Sequence, residues 1–243
     1  MTKIHHARLR ADLKRDMAID RVLTTVQLER RGLLKTAEQM GLTLVERTCR
    51  TRVNQPGSLT DLTFVLDRPE LAGESSAALM HWAGLAEHRF RTKKIMSEKG
   101  ADWRLLDLKG RGQHHLPDAA LRFKDGHEWA VELDTGYPPA TIKAKLRAAS
   151  ATGYTDVMWT TTTRSRVVSL RKTVTTLDSE GLLPGLNSVM VFYVDFWCLD
   201  QKYGLRPYST VPVASRIELR RARGRGSGAR VGTPPSSAPG GSR

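Results

Sequence analysis

The segment from Leu116 to Asp134 constrains the fold of this chain more than any other part of its sequence. Two runs of alternating apolar and polar residues flank the loop Lys124-Asp125-Gly126. Three-residue hairpin loops favour glycine in the left-handed position, because other side chains meet a steric penalty there. With that loop, Phe123 faces His127, and every further pair across the strands keeps the same sum of residue numbers. The segment therefore predicts an antiparallel hairpin in one defined register.

This register separates apolar from acidic side chains, because successive residues of a strand point to opposite faces. The acidic face carries Asp118, Glu132 and Asp134, with Asp118 opposite Glu132. Three carboxylates on one face repel each other unless a metal ion, a basic side chain or bulk water lies among them. A hard, oxygen-ligated ion such as Mg²⁺ suits this group, and an exposed hairpin with an acidic outer face is the alternative. The predicted core face carries Leu121, Phe123, Trp129, Val131 and Leu133.

Helices and strands alternate in the chain around this hairpin. Apolar residues at helical spacing predict a helix over about residues 76–97, and a short strand follows near Trp103. After the hairpin, the pattern predicts a helix that follows Pro139, a strand over 156–160, a helix over 164–177 and a strand over 189–197. This alternation indicates an α/β fold with a mixed, partly parallel sheet flanked by helices.

The first 72 residues have a different pattern, typical of a small winged-helix-like region. Spaced apolar residues predict a helix over about residues 7–31, and a threonine hydroxyl near Thr24 could cap a second helix. The run from Leu28 to Leu34 is similar to the last helix of a winged helix, ending at Gly32. The stretches 45–53 and 62–66 predict the two strands of a wing, with 54–58 as its tip.

Positive charge dominates the composition of the 243-residue chain. Its 39 lysines and arginines exceed its 25 aspartates and glutamates, which gives a formal net charge of +14. Residues 214–243 contain seven arginines and one glutamate, with almost no apolar residue after Leu219. We therefore expect a disordered basic tail there. The excess charge favours a polyanionic partner such as nucleic acid, and a solvated basic face with a solubilising tail is the alternative.

Other features of the composition exclude several classes of protein. No apolar stretch approaches the roughly 18 residues that a membrane span needs, and the first residues lack the apolar core of a secretory signal. Cys49 and Cys198 are too few for a disulfide framework or a cysteine-built zinc site. No glycine-rich phosphate loop or nucleophile elbow is present in the sequence. We expect a soluble cytoplasmic protein without a membrane partner, whose oligomeric state the composition does not predict.

Two sets of motifs in the second half of the chain resemble known proteins. Pro117-Asp118, then Glu132-Leu133-Asp134 on the next strand and a following helix resemble the PD-(D/E)XK nuclease-like core. More narrowly, the strings PDA, VELDTG, IKAKL and VMWTTTTRSRVVSLRKTV resemble the replication-relaxation family of plasmid and actinobacterial mobile-element proteins. The resemblance covers about residues 79–197. In that family a winged-helix region precedes a nuclease-like domain.

The resemblance implies a division of the chain and a role. The expected parts are a winged-helix-like region over residues 1–72, a PD-(D/E)XK nuclease-like domain over 73–213 and the basic tail over 214–243. The expected role is DNA binding in the replication or maintenance of a plasmid or mobile element. Two alternatives stay open: a Mg²⁺-dependent deoxyribonuclease, and a protein-interaction adaptor that keeps a nuclease-like scaffold without its chemistry.

The resemblance also assigns candidate catalytic residues. It implies that Asp118 and Glu132 are ligands of a catalytic Mg²⁺, with Glu87 on the preceding helix as an accessory acid. We add Asp134 as a third metal ligand because it shares their face. Nuclease motifs of this type carry a lysine where this chain has Asp134, so the expected electrostatic helper is Lys143 or Lys145 on the next helix.

Basic side chains in two places are candidates for contacts with DNA. One set lies in the predicted wing and consists of Arg50 and Arg52. The other follows the threonine run 160–163 and would contact phosphates from the start of a helix. A capped helix with an exposed basic face explains that second set equally well. Its members are Arg164, Arg166, Arg171 and Lys172.

Overall fold

The computed structural model of the protein describes residues 3–51, 57–106, 116–199 and 214–219. The first part of the fold contains three helices and three strands in the order helix, strand, helix, helix, strand, strand. Their bounds are α1 Lys3–Asp20, β1 Val22–Thr24, α2 Thr25–Arg30, α3 Leu34–Gln39, β2 Thr43–Arg50 and β3 Leu59–Leu66.

The second part begins after a short 3-10 helix, Pro69–Gly73. Its order of helix, three strands, helix, strand, helix and strand confirms the order predicted from the sequence, and one further strand follows. The elements are α4 Ser76–Lys99, β4 Asp102–Leu105, β5 Ala119–Arg122, β6 Glu128–Asp134, α5 Pro139–Ala151, β7 Asp156–Thr161, α6 Arg166–Ser179, β8 Ser188–Tyr193 and β9 Ala214–Glu218.

The N-terminal strands form a small antiparallel sheet in the order β1-β3-β2. The pairing of β2 with β3 runs from Thr43–Leu66 to Arg50–Leu59, which confirms the two strands predicted for a wing. Residues 54–56 of the predicted tip, and residues 52–53 of the strand predicted before it, lie outside the described part of the chain.

The helices of this region differ from the prediction. The helix expected over residues 7–31 is interrupted, because Arg21 adopts a left-handed φ of 66° and β1 follows it. Thr24 caps α2 as predicted: its side chain accepts a hydrogen bond from the Gln27 amide, and the Gln27 side chain accepts one from the Thr24 amide. The run expected to be the last helix before the wing is α2, and α3 lies between it and β2.

The six-stranded sheet has the order β4-β5-β6-β7-β8-β9. Strands β6, β7 and β8 are parallel, and the three outer pairings are antiparallel. One apolar cluster joins α4 to the face that carries Leu121, Val131 and Leu133. A second cluster joins α5 and α6 to the face that carries Ala130 and Trp159. The molecule is therefore an α/β protein with a mixed sheet flanked by helices, together with a small antiparallel sheet.

The hairpin at the centre of the sequence analysis has the predicted register. The Phe123 amide donates to the His127 carbonyl at 3.0 Å, and Gly126 has a φ of 89°. Leu121 pairs with Trp129 and Ala119 with Val131, as the constant sum of residue numbers requires. The glycine in the loop and the alternation in the strands were sufficient to define this pairing.

The predicted disordered tail begins with a strand, so the prediction of disorder was wrong for these residues. Residues Ala214–Glu218 form β9, which pairs antiparallel with β8. The edge of β8 offers unpaired backbone groups, Ile217 packs against the cluster beneath α6, and Leu219 is buried. Two apolar side chains at strand spacing were enough to order this segment, and residues 220–243 lie outside the described ranges.

Helix α4 packs against both parts of the fold. Its apolar cluster contains Phe64 and Leu66 of the small sheet together with Trp129 and Leu133 of the large sheet. The two parts thus share a core, and the division at residue 72 stays a prediction.

None of the helices in the described ranges is long and apolar enough to cross a membrane.

Candidate functional site

Asp118 and Glu132 meet at the end of the hairpin. The pairing of β5 with β6 continues past β5, because the Asp118 amide donates to the Val131 carbonyl at 3.0 Å. This places Asp118 opposite Glu132, and the charge of Asp118 acts on the Glu132 carboxyl. The Glu132 side chain is 3% exposed and that of Asp118 is 12% exposed. Both acids therefore lie largely out of water.

Lys145 is the basic residue at this pair of acids. Its Nζ lies 2.7 Å from Glu132 Oε2 and donates a hydrogen bond to the Leu116 carbonyl at 3.3 Å. Ile142 and Leu146 turn towards the sheet, and Lys145 borders this buried stripe of α5. Lys143 is exposed on the same helix. Of the two lysines considered from the sequence, the fold brings Lys145 to the acids.

His81 completes the surroundings of Asp118, and the sequence analysis did not identify it. Asp118 Oδ2 accepts a hydrogen bond from the Leu133 amide at 2.7 Å, while Asp118 Oδ1 lies 3.4 Å from His81 Nε2. His81 lies on α4 beside the buried stripe of that helix. Only the crossing of α4 over the sheet brings it to Asp118, so no local pattern in the sequence could have indicated it.

Gly84 sets the distance between α4 and the sheet at this point. A Cβ atom at Gly84 would lie 2.5 Å from Leu133 Cδ2 and 3.2 Å from Phe196 Cε1. The helix therefore touches β6 at the residue next to Glu132, and His81 is one helical turn away from this contact. A glycine inside a long helix is the one sequence signal of this close approach.

The two acids have opposite pKa shifts. Burial alone would raise the pKa of Asp118, but His81, Lys145 and the Leu133 amide lower it below its ordinary value. Burial, followed by the charge of Asp118, raises the pKa of Glu132 well above its ordinary value, although Lys145 opposes this. The negative charge of the pair therefore resides mainly on Asp118.

Tyr137 is a further neighbour that sequence reasoning missed. Its pKa is raised by burial and then by the charges of Asp118, Glu132 and Asp134. Lys145 Nζ lies 5.5 Å from the centre of its ring. Tyr137 thus keeps its proton beside the acids and forms an aromatic wall of the site.

Asp134 does not join the other two acids as a metal ligand would. It is fully buried, and its Oδ1 accepts hydrogen bonds from the amides of Gly136 at 2.8 Å and Tyr137 at 2.6 Å. Its Oδ2 lies 2.9 Å from Arg166 Nε. This carboxylate therefore closes the turn after β6 and pairs with α6, although it shares the strand face of Glu132.

The other predicted site residues are dispersed. Glu87 is buried, accepts a hydrogen bond from Gln27 Nε2 at 3.1 Å and lies 3.7 Å from Arg30, so it faces the N-terminal region and not Asp118. Arg166 is committed to Asp134 and also donates to the Tyr137 carbonyl. Among the remaining predicted DNA contacts, Arg50, Arg171 and Lys172 are exposed, Arg164 is half-buried, and Arg52 lies outside the described residues.

The donor groups of Asp118 and Glu132 are carboxyl oxygens, the kind of ligand that Mg²⁺ prefers. Within the ranges that the structure describes, no three histidine, cysteine or acidic side chains form a group that could hold a metal. Protein sites for Mg²⁺, however, often supply only one or two carboxylates and leave the remaining positions to water and substrate phosphates. Asp118, whose pKa is lowered, supplies one such carboxylate, and Glu132 lies opposite it on the neighbouring strand.

Comparisons of the chain with protein-family models, with curated proteins and with solved structures gave no match.

Proposed function

We propose that the protein binds double-stranded DNA and carries a nuclease-like domain, with a role in the replication or maintenance of a plasmid or mobile element. The observation that carries the DNA-binding proposal is the topology of the N-terminal region. A winged helix has the element order helix, strand, helix, helix, strand, strand, and its first strand pairs with its last. The order α1-β1-α2-α3-β2-β3 and the sheet order β1-β3-β2 agree with that arrangement.

The surface chemistry of this region supports the same proposal. In helix-turn-helix proteins the helix before the wing enters the major groove and its side chains contact base edges. Here that helix is α3, which exposes Lys35, Glu38 and Gln39. Arg50 is exposed at the end of the strand that leads into the predicted wing. The formal charge of +14 adds an attraction to phosphate that does not depend on DNA sequence.

Fluorescence anisotropy with labelled duplex DNA at several salt concentrations tests this proposal. We expect the affinity to fall steeply with salt, and K35A and R50A each to weaken binding and reduce the salt slope by about one unit if they contact a phosphate. The matched control is R147A on α5, which removes one exposed positive charge outside the N-terminal region and outside the predicted DNA contacts. Binding that does not depend on salt would reject the proposal, and equal losses in all three variants would reject the N-terminal interface.

The contacts of Asp118, Glu132 and Lys145 favour a second candidate function, Mg²⁺-dependent cleavage of the DNA backbone. Asp118 and Glu132 would hold the ion, which when bound could activate water or stabilise a leaving oxygen. Lys145 lies where it would neutralise negative charge that develops on the phosphate, the task of the lysine in nuclease motifs. Lys145 comes from α5, so the site has a positive charge although Asp134 occupies the position of the motif lysine.

A plasmid nicking assay separates cleavage from binding. We expect nicking with Mg²⁺ by the wild type and by K143M, and a loss of at least about 100-fold in D118N and K145M. Lys143→Met is the matched control because Lys143 is exposed on the same helix. Absence of nicking by the wild type, with DNA binding retained, would reject cleavage and leave a nuclease-like scaffold that serves binding alone.

A further inference from the structure

We propose that His81 is a positioning residue of the candidate site, which orients the Asp118 carboxylate for a divalent cation. This inference rests on the proposed metal-dependent cleavage and deepens it. No resemblance or sequence pattern assigns His81 a role, and the geometry of the fold alone brings it to Asp118.

The contacts of Asp118 determine how its carboxylate is oriented. A carboxylate on a short side chain can rotate about χ2, so its orientation depends on what holds each oxygen. The Leu133 amide holds Oδ2 at 2.7 Å, and His81 Nε2 lies 3.4 Å from Oδ1 on the opposite side. With both neighbours present, each oxygen of the Asp118 carboxylate has a partner, so the plane of the carboxylate is defined.

The packing of α4 against the sheet positions His81. The contact at Gly84 has no space for a side chain, so α4 packs closely on the Leu133 side chain of β6. His81 therefore approaches Asp118 from a packed, rigid element, and its side chain is only 22% exposed. Hydrogen-bond partners that orient metal ligands from rigid elements commonly contribute 10- to 100-fold to metal affinity.

Binding of Mn²⁺ tests the role without requiring catalysis, because Mn²⁺ accepts the same oxygen ligands as Mg²⁺ and has an electron paramagnetic resonance signal. We expect H81A to weaken Mn²⁺ binding by about tenfold. H81Q should restore much of the loss, because its amide can donate a hydrogen bond to Asp118 from a similar distance. K93A is the matched control on the exposed face of α4 and should bind Mn²⁺ as the wild type does.

Each outcome decides a separate point. Equal Mn²⁺ affinity in H81A and the wild type, or equal losses in H81A and H81Q, would overturn the role of His81. Absence of Mn²⁺ binding by the wild type would overturn both this role and the cleavage proposal. Mn²⁺ binding that depends on His81, in a protein that does not nick DNA, would overturn cleavage and retain the inference. The midpoint of urea unfolding for each variant shows that the fold is retained.

Discussion

Two pairs of buried acids in this protein have different electrostatic surroundings. Asp16 and Asp20 lie four residues apart on α1, and Arg89 of α4 reaches both, with 2.7 Å to Asp16 Oδ1 and 2.8 Å to Asp20 Oδ1. Arg31 also donates to Asp16, so two acids have two arginines. Asp118 and Glu132 share one lysine, and the nearby histidine is charged only when protonated.

The difference separates a structural ion cluster from a candidate site. The α1–α4 cluster consists of two acids and two arginines, namely Asp16, Asp20, Arg31 and Arg89. Its acids are almost fully buried and their charges are matched by the arginines. The cluster therefore joins α1 to α4 and has no capacity for a further cation. At the hairpin, two acids have a single lysine within salt-bridge distance, and Asp118 retains some exposure. An unmatched pair that solvent can reach is the kind of group that can take up a metal ion or a proton.

Arg89→Met should have the largest effect on the free energy of unfolding, and it tests the structural role of the α1–α4 cluster. The change leaves Asp16 and Asp20 buried with only Arg31, and breaking a buried ion pair from one side typically costs about 3–5 kcal/mol. We expect a reduction of that size in the free energy of unfolding, measured by urea denaturation at neutral pH. Arg15→Met is the control: its pair with Asp12 is exposed, and its loss should change stability by less than about 0.5 kcal/mol.

Lys145→Met should destabilise the protein less, by about 2 kcal/mol. The lysine is nearly as buried as Arg89, with 10% of its side chain exposed. The acids that it leaves can respond, because Glu132 takes up a proton more readily than an ordinary glutamate. Urea denaturation of K145M beside K143M measures the difference. A loss as large as that of Arg89→Met would show that this lysine is a structural group like the α1–α4 arginines.

Glu132→Gln should have the smallest effect on the stability of the protein, and this effect depends on pH. An acid whose pKa is raised in the folded state stabilises the protein while it is protonated, and this contribution is lost as the pH rises. For Glu132 the loss begins near 4.5, its ordinary value, and continues upward. We therefore expect E132Q to match the wild type at low pH and to be more stable, by about 1 kcal/mol or less, at neutral pH.

Thermal unfolding across this pH range, with Glu98→Gln as an exposed control on α4, measures the difference. A wild type that is more stable than E132Q at neutral pH would mean that the pair with Lys145 outweighs burial and the charge of Asp118.

The hairpin and the helix after it show how much of the site the sequence could predict. The loop glycine and the strand alternation placed Asp118 opposite Glu132, because both signals act over a few neighbouring residues. The same alternation grouped Asp134 with them, since it defines a face and not the direction in which a carboxylate rotates. Backbone amides of the next turn bind Asp134, and those amides are positioned by the connection to α5.

The N-terminal region shows the same division on a larger scale. Cap chemistry at Thr24 and β-branched runs predicted the start of α2 and both strands of the small sheet, because these are local preferences of the chain. The position of Glu87 was not predictable in this way. Helical spacing allows it to face several neighbours, and the packing of α2 on α4 determined that it meets Gln27 and Arg30.

The sequence by itself determined the register of the hairpin, the alternation of helices and strands and the strong positive charge. Each depends on residue types and spacings within one segment, or on a simple sum over the chain. Only the tertiary structure decided that Lys145 and His81 approach the acids, that Asp134 and Glu87 are held elsewhere and that residues 214–218 add a strand. These contacts depend on where separate elements cross, and crossing geometry follows from the packing of the whole core.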